Sequence, residues 1–252
     1  MSKNKENIKA LLIQIRLHKS VKEEELASFA LYAGIKAQQI TVFDVFNQNC
    51  NRPFFKADEL KEFDVIFIGG ASDASVSDRE SYPFVTDLIE FIKLSIEFKI
   101  PVFASCFGFQ VAVLALGGSI IRDSDDFEMG TYQMSLTNSA LKDPIFRDIP
   151  DKFYAVSVHQ EKALSLPDSC ELLAFTDSCV HSFKVKSAPF WAFQFHPELN
   201  KQTLKDRLTT YKEKYTEDAR DFERVIGDLE ETPYSNQLVT NFIDFFYQNF
   251  KT

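Results

Sequence analysis

A segment at residues 101–110 contains a cysteine in a setting suited to nucleophilic chemistry. An apolar run ends at Cys106, with the small residues Ala104 and Gly108 on either side and a helical pattern of apolar residues after it. This order predicts a strand, a sharp turn and a helix, with the cysteine in the turn. Because the N-terminus of a helix favours negative charge, we expect a thiolate there.

A second segment, residues 190–198, supplies a base. An apolar strand runs into His196, and Pro197 then forces a turn that can bring Glu198 back towards the imidazole. A histidine held by a carboxylate is the usual partner of a cysteine nucleophile. The two segments together therefore predict that Cys106, His196 and Glu198 form one chemical site.

The remaining cysteines call for a simpler interpretation. A cysteine without such a setting is more often a small buried apolar residue than a catalyst, and we interpret Cys50, Cys170 and Cys179 in this way. The four cysteines have no spacing typical of a disulfide framework, which favours a reducing cytoplasm.

Metal ions and cofactors are not expected. The sequence has no Cys-x-x-Cys pair and no P-loop, and its histidines show no ligand-like clustering. These histidines are His18, His159, His181 and His196. We therefore predict neither a metal site nor a cofactor.

Four motifs resemble those of the class I glutamine amidotransferases. Residues 101–110 match the Pro-x-x-Gly-x-Cys-x-Gly-x-Gln elbow of that family, and residues 190–198 contain its Gln-Phe-His-Pro-Glu strand end. Residues 63–70 are an apolar strand followed by two glycines, and residues 158–167 are similar to the His-Gly-Asp or His-Gln-Asp stretch of GMP-synthase-type glutaminases. The likeness extends over about residues 8–198.

The resemblance implies a role for each matched residue and a reaction for the site. It implies a triad of Cys106, His196 and Glu198, an oxyanion hole from the backbone N–H groups of Gly70 and Phe107, and substrate contacts from Gln110 and, as a weaker candidate that could equally be structural, His159. The expected reaction is hydrolysis of the glutamine side-chain amide through a glutamyl thioester, with release of glutamate and ammonia.

Four residues depart from the family pattern, and one of them is Ser105, which stands where the family mostly has an apolar residue. Ala104 replaces the usual glycine before the nucleophile, although alanine can still fit the turn. Phe109 replaces a common histidine that is not a triad member. Ala71 stands where proline is usual after the two glycines, which leaves the oxyanion loop less rigidly specified and predicts a low basal activity.

Strand and helix patterns alternate along the chain, as in a mostly parallel sheet covered on both faces. We predict an α/β fold of three layers, flavodoxin-like, with a C-terminal helical extension. The expected strands are 8–15, 40–46, 64–68 and 101–105, the expected helices are 22–33 and 80–98, and shorter β-type runs between 118 and 193 form an antiparallel extension. We interpret residues 1–252 as a single domain, with a helical insertion at 200–235 and a terminal helix at 236–250.

The charge and composition of the chain indicate which classes of partner it can bind. The net charge of -9 argues against nucleic acid, and the first apolar segment is too short to span a bilayer and lacks a signal-peptide pattern. We expect a glutamine or γ-glutamyl small molecule as substrate. Any acceptor-modifying synthetase must be a separate subunit, since too few residues follow Glu198 for such a domain.

Two alternatives stay open: a γ-glutamyl hydrolase that uses water only, and a degenerate domain retained for binding. The helices at 200–235 either pad the domain, which we favour, or form a lid or partner surface.

Overall fold

A sheet of nine strands forms the centre of the protein. The computed structural model describes residues 5–47, 55–123, 127–211 and 219–249, so Cys50 and residues 212–218 of the expected insertion lie outside the described residues. The strands are β1 (Ala10–Ile15), β2 (Ile40–Asp44), β3 (Val65–Ala71), β4 (Val102–Ser105), β5 (Ile121–Arg122), β6 (Glu128–Leu136), β7 (Lys152–His159), β8 (Glu161–Lys162), β9 (Cys170–Phe175), β10 (Val180–Val185) and β11 (Phe190–Phe193).

The sheet has a parallel half and an antiparallel half. Its order is β2-β1-β3-β4-β11-β10-β9-β6-β7, while β5 and β8 pair separately. The neighbours from β2 to β11 are parallel, and those from β11 to β7 are antiparallel. Every residue of β1, β4 and β11 is buried. Such continuous apolar runs are typical of parallel strands covered on both faces.

Helices cover both faces of the sheet. They are α1 (Lys19–Ala33), α2 (Ala57–Leu60), α3 (Phe84–Glu97), α4 (Phe107–Ala115), α5 (Lys201–Thr210), α6 (Ala219–Gly227) and α7 (Pro233–Asn249). Successive strand residues enter different cores: Leu11 and Ile13 face the core that contains α3 and α4, whereas Leu12 faces the core that contains α1 and α7. This alternation follows from the two-residue period of a strand. The predicted three-layer α/β fold is confirmed.

The C-terminal helices pack against the sheet in two places. Leu238, Phe242 and Phe246 of α7 belong to the core shared with α1. Leu204 and Leu208 of α5 belong to a third cluster. Helix α7 begins at Pro233, because proline suits the first turn of a helix, where its missing N–H would have no partner. Among the described residues, no helix is long and apolar enough to cross a membrane.

Candidate active site

The carboxyl ends of the parallel strands meet at one edge of the sheet. β1 is followed by Arg16, β3 contains Gly70 near its end, β4 leads into Cys106 and β11 is followed closely by His196. In open α/β sheets this edge is where ligands bind, because the connections from successive strands diverge there.

Cys106 occupies the predicted elbow between β4 and α4. Its φ of 50° and ψ of -98° are unusual for a residue with a side chain. The conformation is held because the Cys106 N–H donates to the carbonyl oxygen of Phe193 at 2.7 Å. Gly108 permits the turn to lie against β3, since a Cβ at Gly108 would come within 2.8 Å of Ile68 Cγ2. Ala104 is fully buried in β4 and fits as predicted.

His196 and Glu198 form a buried pair beside the elbow. Nδ1 of His196 lies 2.7 Å from Oε1 of Glu198, and both side chains are buried. Gly70 is packed between this pair and the cysteine: a Cβ at Gly70 would lie 2.7 Å from His196 Cε1 and 3.3 Å from Cys106 Cβ. The structure therefore brings Cys106, His196 and Glu198 together around Gly70.

The charges of this pair support each other. Burial alone lowers the pKa of His196, but Glu198 and Cys106 outweigh it and raise that pKa to about 9. Burial alone raises the pKa of Glu198, but His196, with a smaller contribution from Arg207, lowers that pKa to about 2. The site is arranged to hold an imidazolium beside an ionised carboxylate.

The two predicted oxyanion donors come from different elements beside the cysteine. Phe107 is the first residue of α4, and the first N–H groups of a helix have no partner within it. Gly70 lies near the end of β3, and a Cβ there would lie 3.3 Å from Cys106 Cβ. Phe107 follows Cys106 in the chain and Gly70 packs close to it.

Arg16 is a residue of this site that the sequence analysis did not single out. Its Nε donates to Glu25 at 2.8 Å and its Nη1 to the Ser72 hydroxyl at 2.9 Å. Nη2 is buried without a hydrogen-bond partner among the described residues and would lie 2.8 Å from a Cβ at Gly70. Although burial alone lowers it, the pKa of Arg16 is held above its ordinary value, chiefly by Glu25. The guanidinium group of Arg16, paired with the Glu25 carboxylate, therefore lies behind Gly70.

A pocket of about 340 Å³ opens in front of Cys106. Gln110 lies in its wall, where its side-chain Nε2 donates to the carbonyl oxygen of Glu161 at 2.7 Å. Asp73 and Arg122 also line the pocket and give it charges of both signs. The pocket is therefore suited to a small molecule that is itself a zwitterion.

Side chains hold the loop that follows β3. Glu161 accepts hydrogen bonds from the Ser75 hydroxyl at 2.6 Å and the Val76 N–H at 3.1 Å. The Tyr211 hydroxyl donates to Asp73 at 3.2 Å, and burial together with this carboxylate raises the pKa of Tyr211 to about 12. The loop that Ala71 was expected to leave loosely specified is thus held by hydrogen bonds instead of by a proline.

The helical insertion touches the site. A small cavity behind His196 is lined by Leu204, Arg207 and Leu208 of α5, and by Tyr211, which follows that helix. The first part of the predicted insertion therefore lies across this cavity from His196, and Arg207 acts electrostatically on Glu198.

His159 lines the pocket but belongs mainly to a second cluster. Its Nε2 lies 3.3 Å from Glu128 Oε2, and Glu128, His159, Cys179 and His181 place their ligand-type atoms within 4.8 Å of one another. The expectation that the histidines do not cluster was wrong for His159 and His181. The signal available in the sequence was a Cys-x-His spacing, because residues two apart share one face of a strand.

The ionisable groups of this cluster are shifted. Burial alone raises the pKa of Glu128, but His159 and His181 outweigh it and hold that pKa well below its usual range. Burial lowers the pKa of His159 in spite of the adjacent Glu128.

The family model described as glutamine amidotransferase class-I matches residues 33–212 of this chain. The chain belongs to the class I glutamine amidotransferase family. Members of the family are cysteine-dependent enzymes that typically hydrolyse the glutamine side-chain amide.

Curated relatives agree with this membership. The chain is similar to a glutamine-hydrolyzing GMP synthase of Borreliella burgdorferi, with 28% identity over 181 residues that cover 70% of this chain and 33% of that protein. It is also similar to one subunit of a glutamine-hydrolyzing GMP synthase of Methanocaldococcus jannaschii, with 30% identity over 109 residues that cover 43% of this chain and 56% of that protein. The chain spans about a third of the length of the first of these relatives.

A crystal structure of a glutamine amidotransferase from Thermotoga maritima shares the fold. Its TM-score is 0.72 at 20% identity, and the alignment covers 96% of this chain and 99% of that one.

Proposed function

We propose that this chain hydrolyses the side-chain amide of glutamine through a glutamyl thioester on Cys106 and releases glutamate and ammonia. The observation that carries the proposal is the packing of the Cys106 elbow and the His196–Glu198 pair around Gly70. This packing supports a site in which Cys106 acts as the nucleophile, His196 as the proton carrier and the Gly70 backbone N–H as an oxyanion donor.

The proposed reaction begins with attack of the Cys106 thiolate on the amide carbon of glutamine. The carbonyl oxygen becomes an oxyanion, and the protonated His196 gives its proton to the departing ammonia. Neutral His196 then takes a proton from water, whose oxygen attacks the thioester carbon and releases glutamate. Glu198 keeps the imidazole oriented and stabilises its charged form.

The proposed oxyanion hole consists of the backbone N–H groups of Gly70 and Phe107. Removal of one such donor typically costs about 3 kcal/mol of transition-state stabilisation. The Arg16 guanidinium behind Gly70 is paired with Glu25, so its full charge does not act on the oxyanion. Its Nη2 has no hydrogen-bond partner among the described residues and adds an N–H dipole near Gly70.

The proposed substrate position follows from the charges of the pocket. The amide of glutamine reaches Cys106, and Gln110 contacts the glutamyl chain. Asp73 suits the α-ammonium group and Arg122 suits the α-carboxylate. A free amino acid satisfies both charges, whereas a glutamine within a protein chain has neither group.

We further propose that the chain supplies ammonia to a separate synthetase subunit in the cytoplasm. Relatives from Methanocaldococcus jannaschii and Methanococcus vannielii are each described as one subunit of a GMP synthase, which supports an assembly from separate chains.

The test is the release of ammonia and glutamate from glutamine, γ-glutamyl amines, glutathione and an unstructured protein. We expect slow turnover of glutamine by the wild type and none by Cys106→Ala. Mass spectrometry of a rapidly quenched reaction should find a glutamyl adduct on Cys106. Turnover of γ-glutamyl amines without turnover of glutamine would replace the proposal with a γ-glutamyl hydrolase, and no turnover of any substrate would favour a binding domain.

A further inference from the structure

The cluster of Glu128, His159, Cys179 and His181 lies in the wall behind the pocket. All four side chains are buried, with exposed fractions of 3%, 6%, 6% and 0% in that order. Their potential ligand atoms lie within 4.8 Å of one another. None of these residues is needed for proton transfer in the proposed reaction, so the cluster requires a separate explanation.

The antiparallel half of the sheet brings the cluster together. Glu128 of β6 and His159 of β7 are direct cross-strand partners, so their side chains share one face. His181 lies in β10 and Cys179 immediately precedes that strand, and the Sγ of Cys179 lies 3.5 Å from Nε2 of His181. The four side chains, from β6, β7, β10 and the residue before β10, thus lie next to one another in the antiparallel half of the sheet.

Three distances within the cluster are close to the edges of a tetrahedral site, although the two histidines approach different oxygens of Glu128 and the four ligand-type atoms together lie within 4.8 Å of one another. With Zn–N bonds of about 2.0–2.1 Å and Zn–S bonds of about 2.3 Å, tetrahedral ligands lie about 3.3 Å apart, or about 3.6 Å where one is sulfur. His159 Nε2 lies 3.3 Å from Glu128 Oε2, and His181 Nε2 lies 3.2 Å from Glu128 Oε1. Cys179 Sγ lies 3.5 Å from His181 Nε2.

Hydrogen bonding does not account for several buried atoms of the cluster. Although Nε2 of His159 and Oε2 of Glu128 are close, neither has a hydrogen-bond partner among the described residues. The same holds for Nδ1 of His159 and Nδ1 of His181. Buried polar atoms are nearly always satisfied, and a bound ion is one of the ordinary explanations when they are not.

We propose that Glu128, His159, Cys179 and His181 bind one divalent zinc ion. Two imidazoles, a thiolate and a carboxylate are the ligand types that zinc takes in proteins, whereas magnesium and calcium prefer oxygen ligands alone. Four protein ligands in a buried site leave no position for a reacting water, so the zinc is structural. It ties β10 to the β6–β7 pair behind the pocket, and His159 connects it to the pocket wall.

The test begins with the metal content of protein prepared without a metal-affinity tag. Mass spectrometry of the metals should find about one zinc ion per chain. Cys179→Ser and His181→Gln should each lower this content at least several-fold. Cys170→Ser is the matched control, because Cys170 is a buried cysteine at the start of β9, outside the cluster. Cys106→Ala should also keep its zinc, which excludes binding by the proposed triad and separates this test from that of the proposed function.

A second measurement applies if the cluster variants fail to fold. Wild-type protein produced with cobalt in place of zinc should show the charge-transfer absorption of a cobalt–thiolate bond, and this should survive in Cys106→Ala. Removal of the metal by a strong chelator should lower the melting temperature, and added zinc should restore it. A wild type that folds without metal, shows no thiolate band and melts unchanged with chelator overturns the proposal in favour of a metal-free hydrogen-bonded cluster around Glu128.

Discussion

His196 Nδ1 and Glu198 Oε1 lie 2.7 Å apart, although only Pro197 separates the two residues in the chain. The turn at Pro197 folds the carboxylate back under the imidazole, and both groups are buried. The pair is therefore oriented before any substrate arrives, and its charges depend on each other.

The first prediction concerns the unequal roles of this pair. His196→Ala should lower kcat by about 10²–10⁴-fold, because it removes the proton carrier. Glu198→Gln should lower kcat less, because it affects the orientation and charge of His196 and leaves the imidazole in place. Steady-state ammonia release, with circular dichroism to confirm folding, measures both. If Glu198→Gln is as active as the wild type, Glu198 has a structural role only.

The second prediction is a pH dependence of stability. The pKa of His196 rises from 6.5 to about 9 on folding, so its contribution is fully present below pH 6.5 and is lost as the pH rises through about 9. The pKa of Glu198 falls from 4.5 to about 2, so its contribution is present above pH 4.5 and is lost as the pH falls through about 2. Both contributions are fully present between about pH 4.5 and pH 6.5, so the pair stabilises the fold most in that range.

Urea unfolding of wild type and Glu198→Gln at several pH values measures this dependence. The difference in unfolding free energy should be greatest near pH 5.5, on the order of 2 to 3 kcal/mol, and smaller near pH 2.5 and pH 9.5. A difference that does not vary with pH contradicts the predicted charge coupling.

The sequence was sufficient to predict the parallel half of the fold and the candidate nucleophile. Buried parallel strands leave continuous apolar runs, and the small residues around Cys106 mark a tight turn. Arg16 could not be predicted, because its contacts with Glu25 and Ser72 depend on the crossing of β1, α1 and the loop after β3. The Cys-x-His spacing of Cys179 and His181 was a partial signal for the cluster around Glu128, but Glu128 and His159 join it only through strand pairing in the folded sheet.

The third prediction is selective modification of Cys106. Its exposed fraction of 5% is no larger than the 7% of Cys170 or the 6% of Cys179, so accessibility alone does not distinguish them. Cys106 alone of these three lines the pocket, where a reagent can reach it at the N-terminus of α4. Iodoacetamide at neutral pH followed by peptide mass spectrometry should find Cys106 modified first. Preferential modification of Cys170 or Cys179 would refute the assignment of the nucleophile.

The fourth prediction concerns the space at Gly70 and compares an alanine substitution there with one at Gly227. Gly70→Ala should abolish turnover, because its Cβ would come within 2.7 Å of His196 Cε1 and 2.8 Å of Arg16 Nη2. Gly227→Ala is the matched control, since a Cβ there meets no atom within 4 Å. Ammonia release and melting temperature are measured for both variants. Equal activity of Gly70→Ala and Gly227→Ala would show that the space at Gly70 is not required for the reaction.

The fifth prediction tests whether the region that follows α5 does more than pad the domain. Tyr211→Phe removes the hydrogen bond from the Tyr211 hydroxyl to Asp73 and so loosens the loop that continues from Gly70. One hydrogen bond contributes about 1 kcal/mol, so kcat/KM for glutamine should fall about five-fold. Tyr234→Phe, on the exposed side of α7, is the matched control and should leave kcat/KM unchanged.

The control and the melting temperatures together distinguish an effect on the loop from a general loss of stability. Both substitutions remove a tyrosine hydroxyl from a helical region, and melting temperatures report any loss of folding. A fall in kcat/KM for Tyr211→Phe without a matching loss of folded protein would mean that the contact with Asp73 positions the oxyanion loop. Unchanged kcat/KM for Tyr211→Phe would instead assign α5 and Tyr211 to packing alone, because the loop would then be held sufficiently by Arg16 and Glu161.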